Sequence, residues 1–65
     1  MELSPLERIN KVAHLLPIHV LEDIRTRMGD WMLGGGELND PYMHQQARYA
    51  ENVAESIQEK MLVSK

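Results

Sequence analysis

His14, His19 and His44 are the side chains of this chain best suited to hold a metal or move a proton near neutral pH. Two histidines share a helix face when four residues separate them, but His14 and His19 are five apart with Pro17 between, and His44 stands alone in a later segment. Solvated or partly packed rings are the expectation. There is no cysteine, which removes thiolate metal sites, disulfides and thiol nucleophiles. The serines are Ser4, Ser56 and Ser64, none at a recognisable spacing from a base. No catalytic residue, cofactor or metal is therefore expected, and the chain reads as a non-enzyme. A pocket gathering His44, Asp40 and a tyrosine would reopen that question.

Gly34-Gly35-Gly36 followed by a helix start has the outline of a phosphate cradle, but the chemistry is wrong. A P-loop needs Lys and Ser/Thr directly after its last glycine, whereas Glu37, Leu38, Asn39 and Asp40 follow here. Asp40 would set a carboxylate where an anion should sit, and Pro41 removes one amide donor. Chain reversal and capping are the expected roles.

The elements that position these residues are helical. Ser4-Pro5-Leu6-Glu7 has the composition of a capping box with proline in the first turn. Leu6, Ile9, Ala13 and Leu16 then recur at helical spacing, with Val12 on the shoulder, until Pro17 ends the run. Helix 1 is expected over about residues 5–16. Pro17 opens the next as its first-turn residue, and Leu21, Ile24, Met28 and Trp31 form its stripe. Helix 2 is expected over about 17–33; it runs through Gly29, or else ends at Met28 with Asp30 capping a further turn, and the shared stripe favours continuity. Asp40 and Pro41 open helix 3, over about 41–62, whose Met43, Ala47, Ala50, Ala54, Ile57 and Met61 make one narrow apolar seam.

Gly34 to Asp40 spans seven residues, short enough to make helices 2 and 3 antiparallel neighbours. The expected architecture is an all-α, three-helix single domain over residues 1–65, with helices 2 and 3 a hairpin joined by a glycine-rich loop. Counting out from the loop sets Trp31 by Met43, Met28 by Ala47, Ile24 by Ala50 and Leu21 by Ala54, large residues against small. Trp31 then plugs the open end of the helix pair; the alternative is a partner anchor. Helix 3 outruns helix 2 by roughly 8 Å at 1.5 Å per residue, so Ile57, Met61 and Leu62 are covered by helix 1 or by another chain, or the end frays.

Beside the seam lies a shoulder of Tyr42, Gln46, Tyr49 and Val53, which either packs on helix 1 or forms a contact surface. Tyr42, Tyr49, Val53, Ile57, Met61 and Leu62 are the candidate partner-binding residues. Arg48, Glu51, Glu55 and Glu59 fall on the far face, where a solvated row of charge is expected.

Composition narrows the partners. The net charge is −3, from seven basic and ten acidic residues among 65, with no basic block to neutralise phosphates, so nucleic acid is disfavoured. No stretch approaches the ~18 apolar residues of a membrane span, and the first residues lack the pattern of a secretory signal. The default address is the cytoplasm. A chain this short lies near the lower limit for a self-sufficient core, which favours a protein partner or a homo-oligomer, most simply a dimer.

Leu16-Pro17, Asp30-Trp31, Gly34-Gly35-Gly36, Asp40-Pro41-Tyr42, Gln45-Gln46 and the run Arg48 to Val53 resemble, in order and spacing, a family of small uncharacterised proteins of Gram-positive bacteria and their phages and prophages. The likeness spans most of residues 6–54. It implies a host context, with the host cytoplasm as location if phage-encoded, and no assigned activity. The resulting expectation is a non-enzymatic helical interaction module, a phage or prophage accessory or regulatory factor acting through helix 3. A helix-turn-helix regulator is the alternative, and would need Arg8, Lys11, Arg25 and Arg27 to converge on one face.

Overall fold

A computed structural model describes the backbone of residues 3–63 and side chains as far as residue 61. Among these residues the chain forms three α-helices and one 3-10 turn, with no strand. They are α1 (Pro5–Val12), the turn Ala13–Leu15, α2 (Ile18–Leu33) and α3 (Pro41–Val63). The fold is all-α.

Each boundary has a local cause. The Ser4 Oγ accepts from the Glu7 amide at 3.2 Å while the Glu7 carboxylate accepts from the Ser4 amide and hydroxyl, so the capping box at α1 is closed in both directions. The first helical stretch does not run to Leu16: it stops at Val12 and tightens into the 3-10 turn, which brings the extended Leu16 to the foot of α2. Pro17 is the N-cap of α2 and not a first-turn residue, with its carbonyl accepting from the Val20 and Leu21 amides at 3.0 and 3.1 Å. α2 then continues through Gly29 to Leu33.

The end of α2 is a Schellman arrangement. Gly36 N–H donates to the Trp31 carbonyl and Gly35 N–H to that of Met32, at 2.9 and 3.1 Å, and Gly35 takes the left-handed φ of 97° that this closure needs.

α3 is the element on which α1, the 3-10 turn and α2 all pack. Its Met43, Ala47, Ala50 and Ala54 are at most 2% exposed and join Ile9, Leu16, Leu21, Ile24 and Met28 in one cluster. Alanines on α3 let two helices approach closely while bulkier neighbours fill the space between. Two apolar positions depart from the expected stripes. Leu6 is 45% exposed while Pro5 is fully buried, because α1 presents the Pro5, Ile9 and Val12 line to α3 rather than the line through Leu6. Trp31 is no core plug: it is 36% exposed and stands outside the cluster, because the packed interior closes with Met28 and Met43.

Gly29 and Gly36 have opposite expected responses to a methyl group. A Cβ at Gly29 would meet nothing within 4 Å, so Gly29→Ala should stabilise the helix by about 1 kcal/mol, raising Tm by about 4–8 °C in thermal unfolding. A Cβ at Gly36 would overlap the Trp31 indole, so Gly36→Ala should lower Tm and alter tryptophan fluorescence.

Candidate functional site

Two side-chain constellations lie outside the core, one on each shoulder of α3. On the first, Arg8 of α1 reaches across to α3. Its Nε donates to Glu51 Oε2 at 2.9 Å and its Nη2 to Oε1 at 2.6 Å, a two-pronged ion pair between residues 43 apart in sequence. Arg8 Nη1 also lies 3.3 Å from His44 Nδ1; a guanidinium can only donate, so this contact uses Nδ1 as an acceptor. Glu51 was expected on a solvated face. It is instead half-buried, because α1 lies along this shoulder and offers it a cation.

The hydrogen bond from Arg8 holds the Glu51 carboxyl below its ordinary pKa, opposed by partial burial and aided by the charges of Arg8 and Arg48. Two shallow hollows flank this pair and share His44 and Arg48; Asn39, Pro41 and Gln45 complete one, and Leu3, Arg8 and Glu51 the other. Neither gathers Asp40 and a tyrosine around His44. His14 and His19 are exposed, and among the described residues no three His, Asp or Glu side chains cluster tightly enough to share a metal.

The second constellation is the corner where α2 turns into α3. Trp31 Nε1 donates to Asp40 Oδ2 at 3.0 Å, the Glu37 amide donates to the same oxygen at 2.8 Å, and the indole stacks on Tyr42 with centroids 4.7 Å apart. The Asp40 carboxylate thus fastens the loop and the indole, while its carbonyl starts α3 by accepting from Met43 and His44. Tyr42 therefore packs on α2 and not on helix 1, which occupies the opposite shoulder. Exposed Met32, Leu33 and Leu38 flank the corner.

The other candidate partner residues are spread along α3. Tyr49 is 48% and Met61 68% exposed, Val53 and Ile57 are half-buried, and Gln46 is buried. The Leu62 side chain lies outside the described residues. What sequence reasoning missed is the Arg8–Glu51–His44 contact, which no local spacing encodes, and the apolar corner, whose signal was present in Met32, Leu33 and Leu38 standing off every stripe.

The family of unknown function DUF6877 matches residues 3–55. The chain belongs to this family. No curated protein and no solved structure matches it. The DUF6877 span closes one residue after Ala54, the last buried position of α3, so the family segment coincides with the packed domain and the rest of α3 projects beyond it.

With its pKa depressed in the fold, Glu51 contributes stability above its unfolded value near 4.5 and loses it as pH falls through the lower folded value. Both partners keep contact with water, at 24% and 39% side-chain exposure, so screening holds the pair to about 1 kcal/mol. Glu51→Gln should be less stable than the parent by that amount at pH 7. The gap should narrow below pH 4.5 and close in stronger acid, as followed by urea unfolding across pH.

Proposed function

We propose that this DUF6877 member is a non-enzymatic helical interaction module that self-associates through the outward side of α3. What carries the reading is uncovered surface. The accessible area is 4949 Å² for a 7.5 kDa chain, against about 4,250 Å² for a compact monomer of that mass. The excess of about 700 Å² is close to the ~800 Å² that each side contributes to a standard interface. The radius of gyration is 12.7 Å, compared with about 10.7 Å for a compact domain of this length.

The apolar groups left in water include Trp31, Met32, Leu33 and Leu38 at one end and Met61 at the other. Tyr49, Val53, Ile57 and Met61 supply the α3 side of the contact, with Tyr42 held beneath Trp31. A homodimer is the simplest assembly, and a protein partner of the host can use the same surface. An accessory or regulatory role in a phage or prophage, within the host cytoplasm, fits the family resemblance. The helix-turn-helix alternative loses support, because Arg8 is engaged by Glu51 and Arg27 pairs with Asp23 at 3.1 Å on its own helix. Among the described residues no helix is long and apolar enough to cross a membrane.

Sedimentation equilibrium from low micromolar to millimolar concentration tests the self-association. A mass that rises toward the dimer is expected, and a monomer throughout contradicts the reading.

A further inference from the structure

The corner at the start of α3 and the far end of α3 are complementary. From Met28 to Ala47 there is no lysine or arginine, and the charged residues are Asp30, Glu37 and Asp40. The same stretch carries the exposed Trp31, Leu33 and Leu38, with the Asp40 carboxylate directly on the indole. At the far end stand the exposed Lys60 and Met61. At about 100° per residue, Tyr42, Tyr49, Val53 and Lys60 fall within one stripe about 40° wide, and Glu51, Glu55 and Glu59 lie at least about 80° away from it. The stripe therefore joins the aromatic corner to the lysine with no acid along it.

Lys60 and Met61 cannot reach the corner of their own chain. Pro41 and Met61 belong to one helix, and the intervening turns separate them by about 30 Å. A second copy laid antiparallel against the stripe removes that distance. With the two-fold axis level with Glu51, Lys60 of each copy faces Tyr42 of the other, and Tyr49 faces Val53. Resting on the self-association read above, we propose that two copies pair through antiparallel α3 helices, each seating Lys60 and Met61 on the other's Trp31–Tyr42 corner. The ammonium then meets stacked aromatic faces beside the Asp40 carboxylate, and the thioether meets the indole. A corner-to-corner dimer would instead oppose Asp30 and Glu37 to their own copies, which like-charge repulsion disfavours.

Trp31 is the single tryptophan, so its emission reports the corner. The full chain is followed by sedimentation equilibrium and tryptophan emission over one concentration series. Emission should shift with the same midpoint as the mass. Lys60→Glu and Glu37→Lys should each weaken the dimer by roughly 4- to 25-fold, from about 2- to 5-fold at each of two equivalent contacts, and the double variant should recover most of the loss. Both positions are exposed, and unchanged circular dichroism confirms that the fold is kept. A dimer whose Trp31 emission stays flat, or whose constant ignores both reversals, overturns this pairing while leaving self-association standing. A monomer at every concentration removes both.

Discussion

The close approach of helices over the alanines of α3 is the constraint on which the rest of this structure depends. Ala47, Ala50 and Ala54 are essentially inaccessible, although an alanine offers little area of its own to bury. Their contribution is to let Ile9, Leu21, Ile24 and Met28 pack with them in one buried cluster. A chain this short has few large side chains to spend on a core, and there is no disulfide to supplement them. Small residues on the shared helix and large ones on the two that flank it are one way to reach native density.

That arrangement also decides what stays outside. α1 takes one shoulder of α3 and fastens to it through Arg8 and Glu51, while α2 takes the other, ending at the Trp31–Tyr42 stack. The buried seam runs out at Ala54, yet α3 continues to Val63. Met61 occupies the same angular position as Met43 but has nothing above it. The molecule is elongated for this reason, at 46 × 29 × 15 Å, and apolar groups stay uncovered at the Trp31 corner, at Tyr49 and at Met61.

Much of the backbone was legible because local chemistry encodes it. The Ser4 to Glu7 box, the continuity of α2 through Gly29 and the alanine seam each follow from residue type and spacing, whereas the early end of α1 at Val12 does not. Leu6 misled because periodicity cannot distinguish two adjacent stripes on a helix of two turns, and the buried ring of Pro5 chose between them. Trp31 misled for a different reason. Its stripe position is right, but a stripe predicts burial only where another element lies overhead, and the packed core closes one turn earlier. The Arg8–Glu51–His44 contact was not legible at all, since it joins helices whose relative rotation is set by packing. Which surface a partner uses is likewise a property of exposed side chains, and periodicity marks only the covered ones.

Thermal unfolding of Ala50→Leu tests the alanine constraint most directly. Leucine is nearly as good a helix former as alanine, so any large effect comes from crowding where the helices touch, and Ser56→Leu on the exposed side of α3 is the control. Overpacking by about 1–3 kcal/mol should lower Tm by roughly 5–20 °C for Ala50→Leu, with little change for the control. An Ala50→Leu variant as stable as its parent would contradict a fold built on close helix approach.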